Sequence, residues 1–153
     1  MTALLEDTTE TLNSLLRFEC DTIAIYKDAL KFRHDRTTTS LLRSICDEHS
    51  QAAEIFRVLS EEPQLVGSRL RTGFFSPFHT PFAERSTHAE ILHRLEEREH
   101  ETVLEYGQAA DIDGLDGELA EILSGLLLPQ SQVHLQEIER LAALSNNLIT
   151  ERV

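Results

Sequence analysis

The chain is poor in the residues that staple or interrupt a fold: 153 residues contain two cysteines, four prolines, six glycines, one methionine and no tryptophan. Cys20 and Cys46, with no Cys-x-x-Cys spacing, indicate neither a disulfide framework nor a thiolate zinc site, and read as reduced thiols that pack as small hydrophobes. Basic residues are scarce as well. Fourteen Lys and Arg stand against 27 Asp and Glu, and the net charge of −13 repels phosphate backbones and anionic lipid, so neither nucleic acid nor a membrane surface is an expected partner. No apolar run approaches the roughly 20 residues of a membrane span, and the acidic opening MTALLEDTTETLN lacks the basic-then-apolar order of a secretion signal. A cytoplasmic location is the expectation. Gly-rich phosphate loops, Gly-x-Ser-x-Gly and runs of mixed basic and aromatic residues are also missing, which removes the common nucleotide, hydrolase and nucleic-acid readings. The length suits one domain over 1–153 with a continuous core.

What the chain does have is a duplicated pattern. Leu12, Leu15, Glu19, Thr22, Tyr26 and Ala29 advance by alternating threes and fours, and Leu92, Leu95, Glu99, Thr102, Tyr106 and Ala109 repeat the series residue type for residue type. At about 3.6 residues per turn each series lies on one helix face, so both glutamates are aimed where the Leu and Tyr side chains are aimed. An ionised carboxylate is costly to bury alone, and the repeat therefore asks for a cation, a proton or a hydrogen-bond network between the two helices.

Four helices are predicted. The first spans about 7–34, opened by a capping-box-like Asp7 and Glu10. Thr37 to Thr39 interrupt it, and Thr38 or Thr39 caps a second helix, 38–60, with an inner face of Leu41, Ile45, Glu48, Ala52, Ile55 and Leu59. The short connection makes the two an antiparallel hairpin. A third helix, 87–110, starts with Thr87 and Glu90 as a second capping box. The fourth, 118–144, turns Leu127, Ser131, His134, Ile138 and Leu141 inward, with a kink or break expected at Pro129. Between the hairpins, residues 61–85 hold Pro63, Pro77 and Pro81 and the phenylalanines Phe74, Phe75, Phe78 and Phe82. A connection this long can cross the length of a bundle, with its aromatic cluster packed on its own helices or serving as a homodimer contact.

Two hairpins with internal similarity and one long crossover describe an all-α four-helix bundle. The chain resembles the ferritin-like superfamily, rubrerythrin-type bundles in particular, and a bacterial branch of it known as a domain of unknown function. That resemblance implies one Glu from each of helices one and three and Glu-x-x-His from each of helices two and four, together holding two irons. On that template Glu19 and Glu99 match the single acids, Glu48 and Gln51 stand in place of one Glu-x-x-His, and Ser131 and His134 in place of the other. One Glu and one His are thus missing, and a single divalent ion held by Glu19, Glu48, Glu99 and His134, with Gln51 offering an amide oxygen, is the chemically complete alternative. His49, next to Glu48, takes the place of Gln51 if helix two is rotated by a residue.

The literal Glu97-x-x-His100, with His93 a turn earlier, is a less favourable candidate: Glu97 and Glu99 lie about 200° apart around the helix and cannot both face the core. Two functions follow as expectations. One is a metal-binding bundle acting on iron or another divalent metal, with oxidoreductase chemistry in reach. The other is a metal-free bundle with a structural, stress-related or partner-binding role, its acids protonated or hydrogen-bonded.

Overall fold

The computed structural model describes residues 2–60 and 81–151, with side chains over 8–60 and 81–146. Among the described residues the chain is entirely helical: α1 (Thr2–Ala29), α2 (Arg36–Ser60), α3 (His88–Ala110), α4 (Gly117–Ile122), a π turn (Leu123–Leu127) and α5 (Leu128–Glu151). The last three follow without a break and form one long fourth helix. α1 packs along α2, and α3 along α5. No described helix is long and apolar enough to cross a membrane.

The helix ends differ in part from expectation. α1 already runs at Thr2, so Asp7 lies inside it and does not cap it. It stops short of His34, because Lys31 and Phe32 donate three residues back, to Asp28 and Ala29, and tighten the last turn. α2 is capped by Asp35, not by a threonine: Asp35 Oδ1 accepts from the Thr38 N–H at 2.7 Å and Oδ2 from the Thr38 hydroxyl at 3.0 Å. Thr87 caps α3 as anticipated, accepting from the Glu90 N–H at 3.1 Å and donating its hydroxyl to the Glu90 carboxylate. Asp116 caps α4 through the Leu119 N–H, after a turn in which Gly114 takes a positive φ of 82°.

Pro129 does not break its helix. The irregularity falls one turn earlier, where the Leu128 N–H reaches back five residues to the Leu123 carbonyl. In a regular α-helix the ring of Pro129 would collide with the carbonyl of Gly125, and the wider π turn around that carbonyl relieves the collision. It also corrects the phase. Leu119, Leu123, Leu127 and Ser131 are all buried yet spaced by fours. Each such step overshoots a full α-helical turn by about 40°, and the π turn takes up the excess, so that one face stays inward.

Two apolar clusters form the core. One contains Ile25, Tyr26, Leu42, Ile45, Leu92, Leu95 and Ile138; the other contains Leu12, Leu15, Phe56, Tyr106, Leu119, Leu123 and Leu127. On every long helix a polar stretch separates the two: Glu19 and Thr22 on α1, His49 on α2, Glu99 and Thr102 on α3, Ser131 and His134 on α5, all buried. The fold is thus an apolar, polar, apolar stack of layers. Of the crossover, 61–80 with Phe74, Phe75 and Phe78 lie outside the described residues. Phe82 packs on the bundle, edge-on to Phe32 at 6.0 Å between ring centroids, and its N–H donates to Asp28 Oδ2 at 2.7 Å.

Candidate metal centre

α1 and α3 deliver their duplicated faces as the repeat requires. Leu12, Leu15, Glu19, Thr22, Tyr26 and Ala29 are 0–2% exposed, and Glu99 and Thr102 are fully buried. The two threonines do not join the acids: Thr22 and Thr102 donate their hydroxyls to the carbonyls of Phe18 and Arg98, four residues back on their own helices. The two glutamates are tied together across the bundle. The Tyr26 hydroxyl on α1 donates to Glu99 Oε1 on α3 at 2.6 Å, and the Tyr106 hydroxyl on α3 donates to Glu19 Oε1 on α1.

α2 is turned by one residue from its expected phase. Its buried face reads Leu42, Ile45, Cys46, His49, Ala52, Phe56 and Ser60. Gln51 is exposed and is no part of the cluster, while Glu48 sits at the rim with its side chain 35% exposed. The residue that enters is His49, 2% exposed, with Nδ1 2.6 Å from Glu19 Oε2 and Nε2 2.7 Å from Glu99 Oε1. Ionised carboxylates only accept, so both ring nitrogens donate and the imidazole is held as a cation between two anions. Burial by itself would lower the His49 pKa; the charge and hydrogen bond of Glu19, followed by those of Glu99, override it and raise the value to about 10. Burial likewise favours a neutral Glu99, yet the hydrogen bond and charge of His49 hold its carboxyl below the usual range. The Tyr26 and Tyr106 hydroxyls are pushed up, by burial first and then by Glu99 and Glu19 respectively, so both stay protonated donors.

α5 contributes His134 and Ser131. The Ser131 hydroxyl donates back to the Leu127 carbonyl at 2.8 Å and is spent on its own helix. His134 Nε2 bonds the Glu48 carboxylate at the rim, and its Nδ1 points inward to Glu99 Oε2 at 3.9 Å, beyond hydrogen-bond distance. These two atoms, Glu99 Oε2 and His134 Nδ1, are the buried side-chain polar atoms left without a partner among the described residues. They face each other. The His49 and His134 rings lie 5.3 Å apart, and one ligand atom from each of His49, Glu99 and His134 falls within 4.8 Å of the others. Two imidazoles and a carboxylate at that spacing could hold one metal ion.

The expected set of Glu19, Glu48, Glu99, His134 and Gln51 is therefore redistributed. Glu99 and His134 line the centre, Glu19 and Glu48 stand behind the two imidazoles, and Gln51 is outside. His49 is the member that the first phase of helix two left out. Arg98 was missed as well, since the inner stripes show no base. It is 8% exposed beside Glu99, with Nε donating to the Thr22 hydroxyl at 2.8 Å, a terminal nitrogen to the Phe18 carbonyl at 2.8 Å, and its guanidinium 3.7 Å over the Phe18 ring. On the outer face, Glu97 and His93 are exposed and 3.2 Å apart, and exposed His100 meets Glu139 at 3.4 Å with Glu96 close by, a solvated grouping of the kind acidic surfaces often show.

Compared with protein-family models, with curated proteins and with solved structures, the chain finds no match in any of the three.

Proposed function

We propose that this chain is a ferritin-like helical bundle whose polar layer binds a single divalent first-row metal ion, iron foremost, through His49, Glu99 and His134. One observation carries the reading. The ring nitrogen of each histidine that faces away from the centre is bonded to a carboxylate, Nδ1 of His49 to Glu19 and Nε2 of His134 to Glu48. Metal-bound imidazoles characteristically donate their second N–H to a carboxylate, which fixes the tautomer and turns the free nitrogen to the metal. With the outer nitrogens so occupied, His134 Nδ1 and Glu99 Oε2, both without a partner, are left to meet the ion, joined by His49 Nε2 once it gives up the proton it donates to Glu99 Oε1.

Without a metal, the carboxylates of Glu19 and Glu99 enclose the imidazolium of His49, with the buried Arg98 guanidinium as a further cation of the layer. A divalent cation that takes this place displaces the His49 proton, so binding is coupled to proton release. Two histidines and one carboxylate with open positions suit ferrous ion and the oxygen chemistry it supplies when bound. The residues around it keep the layer dry, and both tyrosines orient the carboxylates.

A metal-free bundle is the second reading, favoured by one observation: His49 already satisfies a carboxylate oxygen of each glutamate. Anaerobic calorimetry with ferrous or manganous ion separates the two. One equivalent bound by the intact chain, lost in both His49→Ala and His134→Ala, supports the metal centre. No binding in a folded protein refutes it.

A further inference from the structure

The side chains around the centre differ in one respect that bears on how an ion arrives. Glu19, Tyr26 and Glu99 are 0% exposed, His49 and Tyr106 2% and His134 3%. Glu48 alone of the network reaches solvent, with 35% of its side chain exposed. Its carboxylate is bonded to the outer nitrogen of His134, whose inner nitrogen faces Glu99 Oε2 at 3.9 Å without a hydrogen bond. Solvent, Glu48, His134 and Glu99 thus form one file, and the apolar clusters close the layer on both sides along the helices.

The geometry points to Glu48 as the entry port of the centre: a positioning residue that captures a divalent cation at the rim and hands it past the His134 ring to Glu99. This rests on the proposed metal reading and adds the route to it. A hydrated dication meets a negative carboxylate first, which raises its local concentration at the rim of the layer. Its capture by Glu48 competes with the Glu48 bond to His134, which frees that ring to swing and admit the ion. Once the ion is inside, the same bond re-forms and holds His134 in its binding orientation. Glu48 is therefore needed for the speed of loading more than for the number of ions held.

Stopped-flow mixing with cobalt(II), followed by its visible absorption on entering the centre, tests the assignment in the full chain. In Glu48→Gln the amide oxygen still accepts from His134 but the charge is gone; loading is expected to slow by about tenfold or more, with one equivalent still bound at the end. Glu48→Asp, which keeps the charge, is expected to load near the rate of the unaltered chain. Asp47→Asn removes the neighbouring charge from the exposed face of the same helix and is expected to load normally. Loading of Glu48→Gln at the rate of Asp47→Asn overturns the port while leaving the centre intact. Loss of the bound equivalent in Glu48→Gln also overturns it, by making Glu48 a ligand. Absence of cobalt binding in the unaltered chain overturns the metal reading and the port together.

Discussion

Tyr26 and Tyr106 stand in reciprocal relation: each reaches across the bundle to the carboxylate borne by the other's helix, Tyr26 to Glu99 and Tyr106 to Glu19. The pairing places α1 and α3 in a reciprocal relation and explains why the acid and the aromatic recur seven residues apart in both. Removing either hydroxyl strands a fully buried carboxylate oxygen on one remaining donor at most. Tyr26→Phe and Tyr106→Phe are each expected to destabilise the metal-free protein by about 1–3 kcal/mol, measured by urea denaturation. Equal stability to the parent in both would show that the crossed bonds contribute nothing.

The imidazolium of His49 makes stability depend on pH in a definite direction. Its pKa rises from 6.5 to about 10 on folding, so its contribution is complete below 6.5 and is lost as pH climbs from there to about 10. Glu99, lowered from 4.5, contributes fully above that value and loses its contribution as pH falls through its lower folded value. Thermal denaturation of the metal-free protein should therefore show a declining alkaline limb that disappears in His49→Gln. An unchanged limb in that variant would assign it to other groups.

Because the proposed ligation needs a neutral His49, apparent affinity should strengthen as pH rises over the same window, with proton release on binding. Calorimetry in two buffers of different ionisation enthalpy measures the released proton. A signal independent of buffer would mean that His49 does not exchange its proton for the ion.

In the proposed centre, Glu19 reaches the ion only through His49. Glu19→Gln is expected to weaken metal affinity by about 10–100-fold with one equivalent still bound, whereas Gln51→Ala, on the exposed face of α2, should leave affinity as it was. Competition against a chelator of known affinity reads both. A large loss in Gln51→Ala would restore the original phase of helix two.

At the other end of the bundle, His34 Nε2 lies 2.7 Å from the Ala29 carbonyl and must donate to it, which leaves Nδ1 as the acceptor of the His88 Nδ1–H at 2.9 Å. Burial and the neighbouring His34 lower the His88 pKa from 6.5, so a neutral His88 carries no penalty above 6.5 and stability is lost as pH falls below that value. An acid-side loss of stability beginning near 6.5 should be absent in His88→Gln. Its persistence would remove the pair as the cause.

How much of this was legible in the sequence depends on whether one residue or two contend for a position. α1 and α3 were readable because the repeat of Leu12–Leu15–Glu19 as Leu92–Leu95–Glu99 marks the same phase twice, in spite of the doublets Leu15–Leu16 and Ile91–Leu92. α2 carries the doublets Leu41–Leu42 and Ile55–Phe56, and Ile45 and Ala52 belong to both of its possible faces, so two phases one residue apart fit equally well. Only packing against Glu19 and Glu99 selects the one that buries His49. Arg98 was hidden for a different reason: a base beside a buried acid reads as solvent-facing, and its burial rests on the Phe18 ring and carbonyl, which no pattern within α3 reveals.

The π turn at Leu123–Leu127 also sets a tolerance. It acts as a one-residue surplus that brings the downstream helix back into step, so the position of His134 depends on chain length upstream as much as on its own identity. Deleting a single residue from Gly125 to Leu127 would remove that surplus and let a regular α-helix hold His134 near its present phase, whereas inserting one more there would rotate everything beyond by about 100°, swing the second imidazole away from Glu99, and leave a helix of nearly the same length with no centre to complete.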